Sequence, residues 1–265
     1  MLKLTNIHKT FNKGTINAKT ALNGVDLTLN DGDFVTVIGG NGAGKSTMLN
    51  AIAGAFMVDE GTIYCDDVNL TGLPDYKRAQ ILGRVFQDPM MGTNPYMMIE
   101  ENMALALRRG ERRGLKWGIS DKERALYYDA LKGLNLGLEE RLTAKVGLLS
   151  GGQRQALTLL MATLKKPKVL LLDEHTAALD PKTAEKVLNL SDKIIEENNL
   201  TTLMVTHNMR DAIAHGNRLI MMDAGRIVVD ISGDDKKKLT VPDLMDLFSK
   251  ASGSSEANDS MLLSK

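Results

Sequence analysis

A glycine-rich run followed by a lysine and two hydroxyl residues is the part of this sequence with the clearest capacity for chemistry. Residues 39–47 read Gly39-Gly40-Asn41-Gly42-Ala43-Gly44-Lys45-Ser46-Thr47 and fit the phosphate-loop pattern G-x-x-x-x-G-K-[ST]. Glycines allow successive backbone N–H groups to turn toward an anion, and the start of a following helix adds its dipole. We expect the Lys45 ammonium to reach the β- and γ-phosphates of a nucleotide, Ser46 to ligate Mg²⁺, and Thr47 to bond near the α-phosphate.

Two neighbouring carboxylates follow an apolar run further along the chain. Residues 169–172 are consecutive apolar residues, and Asp173 and Glu174 come directly after them. If this run is a buried strand, Asp173 lies at the carboxyl edge of a parallel sheet, where Mg²⁺ beside the phosphate loop would lie. The alternative is a charge pair at the start of a helix, which the presence of a phosphate loop makes the weaker interpretation.

A histidine and a glutamine also follow predicted strands. His207 comes after residues 202–206, and Gln87 comes after a short strand at residues 83–86 and before Asp88. A lone histidine is usually structural, and a single glutamine is a weak signal. Their positions at strand ends, which parallel strands bring to one sheet edge, make them candidates for the same site.

A short polar run lies between the phosphate loop and the paired carboxylates. It reads Leu149-Ser150-Gly151-Gly152-Gln153, and with the other two motifs it makes the chain resemble the ATP-binding cassette (ABC) ATPases over nearly its whole length. Helix capping accounts for Ser150 but, from the sequence, not for the two glycines and the glutamine. In the family this run binds the γ-phosphate held by a second subunit. The resemblance therefore implies a head-to-tail dimer of two copies with shared sites.

The resemblance also implies a role for several single residues, with ATP and Mg²⁺ as ligands. Glu174 would polarise the attacking water, His207 would contact the γ-phosphate, and Gln87 would touch Mg²⁺ and the water. Phe11 matches an adenine-stacking aromatic, for which packing in the core is the alternative. Asp180 ends the run Ala178-Leu179-Asp180, which matches the loop that links the two sites of the dimer.

The chain departs from the family pattern at two positions where proline is common. One is Gly40, where the change loosens the phosphate loop slightly and removes no ligand. The other is His175, in the run Asp173-Glu174-His175-Thr176, which is interpreted as the mark of a subgroup rather than as a catalytic residue.

The order of predicted elements indicates an α/β fold. Strands alternate with helices after residue 150, which predicts a P-loop NTPase core with a mostly parallel sheet. Alternating apolar and polar residues at 2–7 and 25–29 predict an antiparallel β subdomain. A helical subdomain is expected at about 88–155, inserted into a core of residues 1–87 and 156–249 that forms a single domain. Residues 250–265 contain too few apolar residues to pack and are predicted to be disordered.

Composition restricts the class of partner. Basic and acidic residues balance at 33 each, so no global field attracts nucleic acid. The basic stretch at residues 108–116 has no interleaved aromatic platform and is interpreted as a solvated surface. The single Cys65 is interpreted as a small apolar filler in a reducing cytosol. No apolar run is long enough to span a membrane and no signal-peptide pattern is present, so a membrane role would come through a partner.

The resemblance favours the ATPase subunit of a membrane transporter at the cytoplasmic face of the cell membrane, with separate permease subunits. Residues 143–148 lack the full T-x-V-G-E-x-G pattern of many exporters, so import of a small solute with an extracytoplasmic substrate-binding protein is favoured. The run at residues 173–176 resembles a subgroup of bacterial uptake ATPases, some of which are linked to amino-acid uptake. An exporter subunit, or a soluble ABC ATPase acting on DNA or ribosomes, is the alternative. A P-loop kinase or helicase does not explain residues 149–153.

Overall fold

The computed structural model describes residues 1–111 and 118–252, and side chains up to residue 250. Its chain forms two compact units, one of Met1–Arg78 with Asn199–Lys265 and one of Ala79–Asn198. Most of the basic stretch at 108–116, and residues 253–265 of the tail predicted to be disordered, lie outside the described residues. Residues 250–252 of that predicted tail are helical instead, because they continue the last described helix.

After residue 150 helices and strands alternate from Gly151 to Asp223, as expected. The strands are β1 (Leu2–Phe11), β2 (Lys19–Leu29), β3 (Phe34–Gly39), β4 (Glu60–Cys65), β5 (Val68–Asn69), β6 (Leu82–Val85), β7 (Val169–Asp173), β8 (Thr201–Val205), β9 (Arg218–Asp223) and β10 (Arg226–Ser232). The helices are α1 (Lys45–Ala53), α2 (Asp75–Arg78), α3 (Ile99–Leu107), α4 (Asp121–Lys132), α5 (Gly151–Leu164), α6 (Pro181–Asn198), α7 (Met209–Ala214), α8 (Gly233–Lys237) and α9 (Val241–Ser252). Over the ranges that the structure describes, none of these helices combines the length and apolar character needed to cross a membrane.

The first unit contains two groups of paired strands. The antiparallel sheet has the order β2-β1-β4-β5, which confirms the predicted antiparallel subdomain. In the other group β3 runs parallel to both β8 and β9, and β10 pairs antiparallel with β9. All six residues of β3 are buried, as expected for the central strand of a parallel sheet covered on both faces.

A buried arginine closes the far end of α1 in this unit. Arg78 is 1% exposed, and its Nη1 donates hydrogen bonds to the carbonyls of Ala51 at 2.6 Å and Ile52 at 2.9 Å. Its Nε donates to the Leu73 carbonyl at 2.8 Å. Burial lowers the pKa of the guanidinium. The carbonyls and the negative end of the helix dipole offset part of the free-energy cost of burying the charge. A Cβ at Gly54 would lie 2.7 Å from Nε, so the residue that ends the helix must be glycine.

The second unit combines a parallel strand pair with a helical core. β6 and β7 run parallel, and α3, α4 and α5 enclose an apolar cluster that includes Met103, Tyr127, Leu131 and Leu157. α3 and α4 lie within the predicted helical insertion, whereas α5 begins inside it and continues beyond its predicted end. The limits of that insertion at 88 and 155, and the single-domain organisation, stay predictions, since the contact units divide the chain at other positions.

Candidate functional site

The phosphate loop joins β3 to the nine-residue helix α1 and holds its lysine in place. Lys45 is 5% exposed, and its ammonium donates hydrogen bonds to the carbonyls of Gly39 at 2.8 Å and Gly40 at 3.1 Å. Gly44 precedes the helix with a φ of +103°, a conformation that favours glycine. The lysine therefore lies over the loop and at the positive end of a helix dipole, where an anion is stabilised.

Two glycines in the loop are required by close approach of backbone. A Cβ at Gly39 would lie 2.3 Å from the Met222 carbonyl oxygen, and a Cβ at Gly44 would lie 2.6 Å from the Ala21 carbonyl oxygen. Any larger residue would displace these strands from the loop. A Cβ at Gly40 would meet nothing within 4 Å, so close approach does not require glycine at that position.

Phe11 ends β1 and lies opposite Lys19 of β2 in the antiparallel ladder. The residue is 37% exposed, and its ring meets the ring of Phe56 edge to face, with centroids 5.2 Å apart. The ammonium of Lys19 lies 3.5 Å from the point that a Cβ on Gly42 would occupy. Sequence reasoning passed over Lys19, because a lysine at the start of a strand is usually a solvated end. Its register with Phe11 leaves no local pattern in the sequence, so no sequence signal could have found it.

His207 and the phosphate loop follow the carboxyl ends of two neighbouring parallel strands. β3 and β8 are parallel with Val37 opposite Val205, so the loop and His207 follow corresponding ends of neighbouring strands. His207 is exposed, and the next residue, Asn208, caps α7 by accepting a hydrogen bond from the Arg210 N–H at 2.9 Å. The histidine is thus fixed between a buried strand and a capped helix.

Gln87 and Asp173 lie at one strand edge in the second unit. β6 and β7 are parallel with Val85 opposite Leu172, so the residues that follow them emerge side by side. Asp173 ends its strand as expected, and its Oδ2 accepts a hydrogen bond from Arg84 Nη2 at 3.2 Å. Gln87 is exposed to solvent.

Glu174 has a strained backbone. Its φ is +46°, in the left-handed region that non-glycine residues rarely adopt, and it is 9% exposed. The Ala177 N–H donates to its carbonyl at 3.0 Å, which makes the loop turn sharply after β7. Such strain costs about 1–3 kcal/mol and persists where the surrounding structure holds it, often at functional sites.

The Ser150 run begins α5 with a reciprocal capping box. Ser150 Oγ accepts from the Gln153 N–H at 3.3 Å, and Gln153 Oε1 accepts from the Ser150 N–H at 3.2 Å. A Cβ at Gly152 would lie 2.2 Å from Thr183 Cγ2 of α6. The expectation that helix capping does not explain the glutamine is therefore wrong, because Gln153 is part of the capping box. Capping still does not explain Gly152, but its close packing against α6 does. A Cβ at Gly151 would meet only the end of the Leu179 side chain, at 3.3 Å, so packing does not explain why this residue is glycine.

Asp180 lies at the start of α6. Its Oδ1 accepts a hydrogen bond from the Thr183 N–H at 3.1 Å. Hydrogen bonds from the Thr183 hydroxyl and N–H hold the pKa of the Asp180 carboxyl below its usual range. The carboxylate is exposed and ionised at neutral pH, and it also stabilises the helix terminus.

Each of the two units therefore contains some of the predicted site residues. The first holds Phe11, the phosphate loop and His207, and the second holds Gln87, Asp173, Glu174, residues 150–153 and Asp180.

Comparison with known proteins decides the family. The family model described as ABC transporter matches residues 22–177, more than half of the chain. This chain belongs to the ABC transporter family. The tyrosine transport ATP-binding protein of Clostridioides difficile is 47% identical over 251 residues, which cover 95% of this chain and 100% of that protein. The spermidine/putrescine import ATP-binding protein of Fusobacterium nucleatum is 35% identical over 86% of this chain, which spans 56% of that protein.

Solved structures share the ABC fold. The dimeric post-hydrolysis state of an ATP-binding cassette bound to ADP and Pi has a TM-score of 0.75 and 33% sequence identity, covering 88% of this chain and 98% of that one. A nucleotide-free ATP-binding cassette has a TM-score of 0.75 and 26% identity, covering 94% and 98%. The predicted fold class is confirmed, and the chain is an ATPase of an ABC transporter.

Proposed function

We propose that this ABC ATPase powers the import of a small solute, and that the solute is an amino acid of the tyrosine class. The observation that carries the proposal is 47% identity, over 95% of this chain and 100% of the relative, to a tyrosine transport ATP-binding protein. The spermidine/putrescine relative is named for import, which supports uptake over export.

The phosphate loop supports nucleotide binding at named atoms. Lys45 would exchange its loop carbonyls for the β- and γ-phosphates, and the N-terminus of α1 would face the same anion. Phe11 would stack on the adenine, an interaction worth about 1–3 kcal/mol. Lys19, between Phe11 and Gly42, would add a positive charge along the nucleotide.

The proposed metal ligands fit Mg²⁺ by their chemistry. Ser46, Gln87 and Asp173 offer hydroxyl, amide and carboxylate oxygens, and Mg²⁺ is usually bound by one or two carboxylates together with substrate phosphates. In the part of the chain that the structure describes, no group of three or more His, Cys, Asp or Glu could hold an ion alone. When bound, Mg²⁺ neutralises charge that develops on the phosphates.

Glu174 and His207 are the proposed catalytic residues. The Glu174 carboxylate would polarise the attacking water, a contribution of about 10²–10⁴-fold, and His207 would contact the γ-phosphate. Gln87 would touch the water from the neighbouring strand. The strained turn at Glu174 supports this assignment, because strain of this kind clusters at active sites.

The proposed assembly is a dimer at the cytoplasmic face of the membrane. Residues 150–153 of one copy would receive the γ-phosphate bound by the other, with Asp180 in the linking loop. A solved relative is dimeric, which supports this arrangement. Separate permease subunits and an extracytoplasmic substrate-binding protein would complete the transporter. The balanced charge gives no reason to propose a nucleic-acid partner.

Glu174→Gln tests the catalytic part of the proposal. We expect turnover to fall by about 10²–10⁴-fold while ATP binding is retained, because the amide keeps the shape but loses the base. The trapped ATP should shift the variant to a dimer on size-exclusion chromatography. Glu196→Gln, the same change on the exposed face of α6, is the control. Turnover of Glu174→Gln within threefold of the unmodified chain would contradict the assignment.

Transport assays test the solute class. A strain lacking this chain should lose uptake of labelled tyrosine and keep uptake of labelled spermidine. The unmodified chain should restore uptake, and Glu174→Gln should not. Undiminished tyrosine uptake in the deletion strain would reject the amino-acid proposal while leaving the ATPase assignment intact.

A further inference from the structure

His175 is a buried polar residue to which the proposed mechanism gives no role. It follows Glu174 directly, is 2% exposed, and its Nε2 lies 3.0 Å from Ser191 Oγ of α6. Ser191 is 1% exposed, and its hydroxyl donates to the Val187 carbonyl at 2.8 Å. Because that bond uses the single hydroxyl proton, Ser191 accepts at His175, and Nε2 of the imidazole carries the donated proton.

This hydrogen bond joins α6 to the loop that carries two proposed site residues, Glu174 and Asp180. The chain leaves β7 at Asp173, turns at Glu174 and His175, passes Asp180, and returns along α6 to Ser191. The bond joins positions 16 residues apart and is buried. It therefore fixes the start of the loop against the third turn of a helix rather than against another part of the same loop.

The backbone at Glu174 needs such an anchor. A glutamate at a φ of +46° is strained, and it relaxes unless the residues on either side are held. On one side β7 supplies the restraint through its pairing with β6. On the other side His175 is the next residue, and the buried pair with Ser191 restrains it.

We propose that His175 is a positioning residue that holds the Glu174 carboxylate in its productive orientation through the hydrogen bond to Ser191. The proposal rests on the proposed role of Glu174. His175 acts through the backbone turn and touches neither water nor nucleotide. Since a displacement of about 1 Å at a reacting group can cost about 10²-fold in rate, loss of the bond should appear in turnover rather than in ATP binding.

Two substitutions with side chains of similar length distinguish the effect of the His175 hydrogen bond from the effect of the volume that the side chain fills. Gln at position 175 can place an amide donor near the position of Nε2, whereas Met has similar size and no donor. We expect His175→Met to lower kcat by about 10- to 100-fold, with KM and Kd for ATP within twofold of the unmodified chain. His175→Gln should keep kcat within about threefold. In ATP, His175→Met should accumulate the same trapped dimer as Glu174→Gln.

The other partner gives an independent test that does not alter His175. Ser191→Ala should reproduce the kcat defect, and the double variant with His175→Met should be no slower than His175→Met alone, because both remove one bond. Ser249→Ala is the matched control, since Ser249 Oγ also donates to the carbonyl four residues earlier, Met245, at 3.0 Å. Ser249→Ala should leave kcat unchanged.

The outcomes separate this inference from the proposed function. If Met and Gln at position 175 lower kcat equally, or if Ser191→Ala turns over ATP like Ser249→Ala, the inference is overturned. If His175→Met does not fold, Ser191→Ala alone decides. A Glu174→Gln chain that remains active would overturn the proposed function, whereas an inactive Glu174→Gln beside an active His175→Met would overturn only the positioning role.

Discussion

At the scale of single side chains, two lysines approach the phosphate loop and differ in burial. Lys45 is 5% exposed and bonded to loop carbonyls, whereas Lys19 is exposed and reaches toward Gly42 from β2. Interactions of exposed charges are screened by salt, and those of buried charges are screened much less. The two lysines should therefore contribute differently to nucleotide binding.

Titration calorimetry at two salt concentrations distinguishes them. Lys45→Ala should abolish measurable ATP binding at any salt, because it removes the charge that faces the phosphates. Lys19→Gln should weaken binding by about two- to fivefold at low salt, the range of an exposed charge pair, and by less at high salt. Lys19→Arg should restore affinity, and Lys132→Gln, at the exposed end of α4, should have no effect. Unchanged affinity of Lys19→Gln at low salt would remove Lys19 from the site.

Sequence reasoning identifies residues whose partners lie close in the chain. The phosphate loop and the Ser150 cap have fixed local spacing, and Asp173 follows an unbroken apolar run. Lys19 gains its position from strand register, and the partner of His175 lies 16 residues away on a returning helix. Neither arrangement leaves a local pattern, so the structure was needed to find them.

At the scale of elements, α4 and α5 begin with the same capping device. Ser120 Oγ accepts from the Glu123 N–H at 3.4 Å, and Ser150 Oγ accepts from the Gln153 N–H at 3.3 Å. Only the second box belongs to the proposed shared site. A comparison of the two capping serines therefore distinguishes the structural role of a helix cap from the proposed catalytic role of the Ser150 run.

Ser120→Ala and Ser150→Ala should each lower the free energy of unfolding by about 0.5–2 kcal/mol, the usual cost of a lost cap. Urea denaturation measures this cost. Only Ser150→Ala should also slow ATP turnover, because its hydroxyl would face the phosphate of a second copy. Equal loss of turnover in both variants would mean that Ser150 acts through helix stability alone.

The elements that the sequence pattern does not predict are those with weak burial. β4 has two buried residues in six, and no residue of β10 is fully buried, so neither shows the continuous apolar run of a strand that is buried on both faces. β1 extends to Phe11 beyond the predicted residues 2–7, because Asn6 has a φ of +49° and the register shifts there. Central strands such as β3 and β7 were predictable because burial on both faces leaves a continuous apolar run.

At the scale of the whole molecule, each chain has one phosphate loop and one Ser150 run. If two chains share each site, cysteines introduced at Asn41 and Gly151 should crosslink between chains in the Glu174→Gln background. We expect a dimer band in ATP and none without nucleotide. The native Cys65 is 1% exposed, so the chain without introduced cysteines is the control for background crosslinking. Crosslinks confined to single chains would reject the shared site.

The buried Arg78 has a consequence for how the chain meets its nucleotide. It holds the C-terminal carbonyls of α1, while Lys45 and the close-packed glycines hold the other end of that helix. The phosphate loop is therefore ordered before the nucleotide binds. Binding then costs little of the conformational entropy that a flexible loop would lose. A preorganised loop of this kind leaves the binding free energy of ATP available for moving larger parts of the transporter.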